Sequence, residues 1–180
     1  MPLYAHGSHL PTIHPTAFVA PSADVIGNVL LGEFSSIWFN AVIRGDQDRI
    51  TIGNRTNIQD QTTCHADDNV PLTIGDGVTV GHNCVVHGCT IEDGCLIGMG
   101  AVVMNHAVIG TGSIVAAGAV VLEGTIIPPH SLVTGSPGRV KKTYDDPGKI
   151  SAEIQRASDI YVGNTQNYGN SGCFRPLEGE

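Results

Sequence analysis

Residues 91–133 read IEDGCL IGMGAV VMNHAV IGTGSI VAAGAV VLEGTI IPPHSL V, and the spacing of their aliphatic residues decides the fold. Ile91, Ile97, Val103, Ile109, Val115, Val121, Ile127 and Val133 recur every six positions without a break. A period of six matches neither the 3.6-residue repeat of an amphipathic helix nor the two-residue alternation of a half-buried strand. Upstream the same register runs through Ile13, Val19, Val25, Leu31, Ile37 and Ile43, then Ile52, Ile58 and Cys64, then Ile74, Val80 and Val86. Three extra residues fall around Gly45–Arg49 and four around Ala66–Leu72, whereas Val86 and Ile91 stand one residue closer than the rule. Gly often follows the aliphatic residue, and a small residue such as Ala41, Cys84, Cys95 or Ala101 sits four places after it.

Such a repeat fits a parallel β-solenoid of triangular section, with one hexad per side and three per coil. The aliphatic and the small residue point inward, and Gly or Asn turns the corners. At about 4.8 Å per coil, six to seven coils give a prism roughly 30 Å tall. The pattern aliphatic-Gly-x-x-small-x resembles the left-handed β-helix superfamily, and the left hand is what that resemblance implies. The expected fold is therefore all-β: a left-handed parallel β-helix over residues 1–140, a linker and C-terminal helix over 141–165, and a tail over 166–180. Tyr4 to Leu10 should cap the first coil or pair along it, and Pro137 and Gly138 should end the solenoid. Ser151 reads as an N-cap with Glu153 in the first turn, and Ile154, Ala157, Ile160 and Tyr161 repeat at helical spacing. An amphipathic helix over about 151–164, packed on one face of the prism, follows from that pattern.

Composition narrows the class. The formal charge of −8 argues against nucleic acid or an anionic membrane as partner. The chain start carries no basic stretch followed by an apolar run, and no apolar stretch approaches a membrane span. Cys64, Cys84, Cys89, Cys95 and Cys173 form no CxxC pair and read as small core residues of a reducing compartment. A soluble cytoplasmic protein is expected.

Counting hexads also sorts the histidines. Ile43, Cys64 and Val86 fall on one side, so Arg44, His65 and His87, which directly follow them, form one outward column. Imidazoles on strands about 4.8 Å apart can converge on one ion. His82 belongs to another side, with Asp60 below it and Met99 above. A side of the prism is roughly 15 Å wide, too far for His82 to join the pair within its own chain. A second copy can supply it, and that head-to-tail contact closes as a cyclic homotrimer with interfacial metals. Three histidines with one open position are a catalytic arrangement. The remaining histidines (6, 9, 14, 106 and 130) read as solvated polar residues.

Four motifs go beyond the repeat: Ile43-Arg44-Gly45-Asp46, Asn57-Ile58-Gln59-Asp60, His65, and Gly81-His82-Asn83-Cys84-Val85-Val86-His87-Gly88. In these the chain resembles the γ-class carbonic anhydrase-like proteins over about residues 10–163. That resemblance implies a Zn2+ site, with Fe2+ or Co2+ as alternatives, ligated by His65, His82 and His87 across a trimer interface. It implies that Arg44 and Asp46 join subunits near the metal and that Gln59 orients metal-bound water. Asn57 and Asp60 fall in the surrounding shell, and Tyr161 reaches the site from the terminal helix. The implied reaction is reversible hydration of carbon dioxide to bicarbonate by metal-bound hydroxide, with Met99 beside the substrate. Two departures stand out. Gln47 replaces a glutamate of the best-known active members, and the loop after His65 is short, with Asp68 the nearest carboxylate for proton transfer. Two other readings stay open: a catalytically weak or inactive metal-binding scaffold, and an acyl-CoA thioesterase or acyltransferase. Acyltransferases of this fold usually rely on a single histidine, so three in register count against the last.

Overall fold

The structure, a computed structural model, describes residues 3–169 as a parallel β-solenoid of about seven turns with one helix. The three faces are the three hexad columns. Ile13, Leu31, Ile52, Ile74, Ile91, Ile109 and Ile127 stack on the first. Val19, Ile37, Ile58, Val80, Ile97, Val115 and Val133 stack on the second. Val25, Ile43, Cys64, Val86, Val103 and Val121 stack on the third. Nearly all of these column residues are buried, together with the small residues four places on, and they form one continuous core. The hexapeptide repeats fit the left-handed form of the solenoid.

Two kinds of position shape the corners. The third residue after the aliphatic takes a left-handed conformation, with φ of 56° at Asn83, 69° at Gly100 and 67° at Gly118. Gly and Asn adopt that conformation at the lowest cost. The Gly that directly follows the aliphatic answers a different need. A Cβ on Gly81 or Gly98 would lie 2.7 Å or 2.5 Å from a backbone nitrogen of the next coil. The corner role expected of Gly is thus split between turning and close stacking.

The two insertions behave differently. Gly45–Arg49 is absorbed into one long strand, Val42–Ile52, which runs from the third face around to the first with a register shift opposite Gly27 and Val29. Ala66–Leu72 forms a real excursion, closed by a bridge between Asp67 and Val70 and turned at Asn69. At the start of the chain Leu3–Tyr4 pairs along Val25–Ile26. At the far end the chain reverses, and Arg139–Thr143 pairs antiparallel with Ser131–Thr134. Residues expected as linker thus form a strand, which covers the edge of the last coil.

The helix α1 spans Gly148–Gly169, longer at both ends than expected. Asp146 Oδ1 accepts the Gly148 N–H at 3.1 Å, and the Pro147 carbonyl accepts the Ser151 N–H at 2.8 Å. Ser151 is therefore already inside the first turn and is not the cap. The helix lies on the second face with Ile154, Ser158 and Thr165 buried, whereas Ile160 points outward at 53% exposure. Tyr161 and Tyr168 pack edge-on against Trp38 with ring centroids 5.3 Å and 5.1 Å apart. That aromatic anchor keeps residues 166–169, expected as tail, in the helix. Residues 170–180, with Cys173, lie outside the described part. The four other cysteines are free and buried. Burial pushes the Cys89 and Cys95 thiols up to about 12.

Candidate metal centre

His65 and His87 are register partners on adjacent strands of the third face. Their rings meet at 2.9 Å, His65 Nδ1 to His87 Nε2. His65 is buried, whereas His87 is partly open. The second nitrogen of each ring is held from behind. His65 Nε2 faces Asp46 Oδ1 at 3.0 Å, and His87 Nδ1 faces Asn105 Oδ1 at 2.6 Å. Asp46 Oδ2 also accepts from Arg44 Nη1 at 2.6 Å. Burial pushes the Asp46 carboxyl up, but the hydrogen bonds from Arg44 and His65 outweigh it and hold the group below its ordinary value of 3.8.

His82 stands elsewhere, at the corner between the second and third faces. Its Nδ1 lies 2.8 Å from Asp60 Oδ2, and its side chain is 44% exposed. Asn57, Gln59 and Tyr161 lie on the same side. Gln59 Nε2 donates to Asn57 Oδ1 at 3.1 Å, and Asn57 Nδ2 donates to Thr79 Oγ1 at 2.9 Å. Gln59, His82 and the exposed Met99 line a hollow beside α1, reached there by Ala157. Burial raises the Tyr161 phenol, and the charge of Asp60 raises it further.

One chain therefore carries two separate clusters. His65, His87, Asp46 and Arg44 belong to one; His82, Asp60, Gln59, Asn57 and Tyr161 belong to the other. Among the described residues, the ligand atoms within 4.8 Å of one another belong to His65, Asp67 and His87, and His82 is not among them. The sequence reading missed Asp67 and Asn105. It favoured Asp68, which is exposed, whereas Asp67 turns toward the next coil: Asn105 Nδ2 donates to its Oδ2 at 2.8 Å. Asp67 Oδ1 lies 3.9 Å from His87 Nε2. Hexad counting holds the one signal for Asn105, since it stands two places after Val103, directly one coil above Val86.

A triangular stack of hexads is the mark of the hexapeptide-repeat class. Residues 71–104 and 88–123 match the family described as "Bacterial transferase hexapeptide (six repeats)". The chain is similar to a protein of Methanocaldococcus jannaschii named "Probable carbonic anhydrase", 57% identical over 122 residues, covering 68% of this chain and 77% of that protein. It is similar to "Gamma carbonic anhydrase 2, mitochondrial" of Arabidopsis thaliana, 52% identical over 86 residues, 44% of this chain and 31% of the plant protein. Among solved structures, a hexapeptide transferase family protein from Anaplasma phagocytophilum superposes with a TM-score of 0.88 at 35% identity, covering 93% of this chain and 98% of that one. Identity of this depth over most of the archaeal relative, together with the solenoid, places the chain in the γ-class carbonic anhydrase-like family.

Proposed function

We propose that the protein is a metal-dependent carbonic anhydrase that interconverts carbon dioxide and bicarbonate, and that it works as a homotrimer with its sites between subunits. The observation that carries this reading is the hydrogen bonding of the three histidines. In each, one ring nitrogen faces an oxygen of Asp46, Asp60 or Asn105, which leaves the other nitrogen available to an ion. Ring nitrogens held in this way are the usual surroundings of metal-ligating histidine. Two nitrogens bound to a tetrahedral ion at about 2.0–2.1 Å stand about 3.3 Å apart. The His65–His87 separation of 2.9 Å needs to open by only about 0.4 Å to match. Imidazole donors suit Zn2+, Fe2+ and Co2+ alike. When bound, the ion would supply the Lewis acidity that lets water release a proton near neutral pH and so provides hydroxide to attack carbon dioxide.

The chain's own residues do the rest. His65 and His87 of one subunit and His82 of its neighbour would hold the ion. The Asn57–Gln59 bond fixes the Gln59 amide plane and leaves Oε1 to accept a proton-bearing oxygen, which orients water. Met99 forms an apolar wall for carbon dioxide. Arg44 and Asp46 join the subunits beside the ion. Tyr161, its phenol raised by burial and by Asp60, serves as a proton donor on the same side of the prism. Proton release ends at the solvent-facing Asp68, and because Gln47 cannot titrate, turnover rises with added buffer.

The test is stopped-flow hydration of carbon dioxide by zinc-loaded protein in rising buffer, wild type against His87→Ala. Equal rates for the two would overturn the anhydrase reading and favour a metal-binding scaffold. A monomeric mass in solution scattering would remove the shared site. Acyl transfer is the second reading, supported by the transferase naming of the Anaplasma structure. Acyl-CoA turnover untouched by His82→Ala would favour it.

A further inference from the structure

The same side chain that holds His87 from behind is itself held, and the direction of that second bond has a consequence for the imidazole. Asn105 makes two bonds with its terminal amide: Oδ1 to His87 Nδ1 at 2.6 Å and Nδ2 to Asp67 Oδ2 at 2.8 Å. An amide has one accepting end and one donating end, and an ionised carboxylate only accepts. With Asp67 on one side, Asn105 must turn its NH2 toward the carboxylate and its carbonyl toward the ring. Turning the amide over would set oxygen against oxygen and abandon a charge-assisted bond. The carbonyl in turn can only accept, so His87 Nδ1 must carry a proton, and Nε2 is the nitrogen turned toward His65 Nδ1 at 2.9 Å and Asp67 Oδ1 at 3.9 Å. We propose that Asn105, oriented by Asp67, is a positioning residue that locks His87 in the Nδ1–H tautomer and so presents Nε2 for metal binding.

The backbone is built to hold this amide in place. The interval from Val86 to Ile91 is the one hexad short by a residue, and Gly88 lies within it with φ of 49°. A Cβ on Gly88 would stand 2.6 Å from Asn105 Oδ1 and 2.6 Å from Val70 Cγ1. Only glycine leaves room for the amide between His87 and the loop that carries Asp67. Gly88 N–H donates to the His65 carbonyl at 3.0 Å, and His106 N–H donates to the Gly88 carbonyl at 2.8 Å. The coils that carry His65, His87 and Asn105 are thus tied together at this point. The shortened hexad, its glycine and the turn of Asp67 toward Asn105 all serve one bond. His82 is held by a carboxylate directly, and among the three histidines His87 alone is reached through an intervening amide.

The inference rests on the proposed metal site, but its primary readout does not depend on metal or on turnover. The ring nitrogens of 15N-histidine-labelled, metal-free full-length protein are observed by NMR, with His87 assigned by its loss in His87→Gln. Wild type should show His87 protonated at Nδ1. Asn105→Leu and Asp67→Ala should each give a mixed tautomer and weaken Zn2+ binding, measured by chelator competition, by roughly 10- to 100-fold. The double exchange Asp67→Asn with Asn105→Asp reverses donor and acceptor between those two positions yet still presents an acceptor to Nδ1. It should restore the tautomer and bring Zn2+ affinity back to within a few-fold of wild type. Asp67→Ala and the double exchange decide the matter even where Asn105→Leu fails to fold. An unchanged His87 tautomer in Asp67→Ala, or a double exchange no better than Asp67→Ala, would overturn the inference. Wild-type protein with the Nδ1–H tautomer and no hydration activity would support it while overturning the anhydrase reading.

Discussion

Mixing two inactive variants asks directly whether the site is shared between subunits. His82→Ala keeps the His65–His87 pair, whose nitrogens stand 2.9 Å apart, and His87→Ala keeps His82 on its own corner beside Asp60. Each variant alone has two ligands per site at most and should lose tight zinc binding. In the proposed ring of three, every site would take its pair from one chain and its third histidine from the next. A site is whole when the first chain is His82→Ala and its neighbour is His87→Ala. Equimolar random mixing satisfies each condition about half the time, so about one quarter of the wild-type sites should return. The assay is co-refolding of the two variants from denaturant, isolation of the trimer, and zinc per chain by atomic emission alongside hydration rate. Both quantities should recover to about one quarter of wild type, since a whole site on one edge owes nothing to the broken ones. A site confined to one chain predicts no recovery, because every chain in the mixture lacks one ligand. Mixed trimers with no more zinc than either parent would refute the shared site.

Other expectations concern the scaffold. Gly98→Ala sets a Cβ 2.5 Å from the Ala117 backbone nitrogen and should cost about 1–3 kcal/mol or more in urea unfolding. A cost below that of Gly118→Ala, where space is open and only φ of 67° is strained, would contradict close stacking of coils. Cys89 and Cys95 stay protonated in the fold up to about 12, whereas a free thiol ionises near 9.0. Their raised values mean that the stability they contribute is whole below pH 9.0 and declines as pH climbs toward 12. Each should remove about 1.4 kcal/mol per pH unit in that window. Cys89→Ala/Cys95→Ala should therefore show a flatter stability curve above pH 9.0 than wild type, and parallel curves would contradict the burial. Trp38 is the one tryptophan and packs on Tyr161 and Tyr168 of α1, so Tyr168→Ala should shift its fluorescence and speed proteolysis within the helix. An unchanged emission spectrum would show that the helix does not dock through this cluster.

A repeat with a period of six repeats its contacts with the same period. Each coil touches only the coil above and below, so the residue eighteen positions on, corrected for insertions, is the partner, and counting alone stacked Cys64 under Val86 and Val86 under Val103. For the same reason counting separated His82 from His65 and His87. Places where the chain leaves the period were less legible. The extra residues at Gly45–Arg49 continue a strand, which no alternation in Gly-Asp-Gln-Asp-Arg announces. The helix begins at Gly148 because Asp146 caps it and persists to Gly169 because tyrosines dock on Trp38, a contact between residues more than a hundred apart.

The sequence by itself determined the triangular solenoid, its three columns and the corner on which each histidine stands, because all of these follow from one-dimensional spacing. Only the tertiary structure decided which oxygen stands behind each ring. Asp67 rather than Asp68 bonds Asn105, and Asn105 reaches down from the next coil over Gly88, because side-chain direction at a corner depends on backbone φ and on a neighbour's volume. Those are properties of packing, and they set the hydrogen bond that leaves His87 Nε2 facing His65.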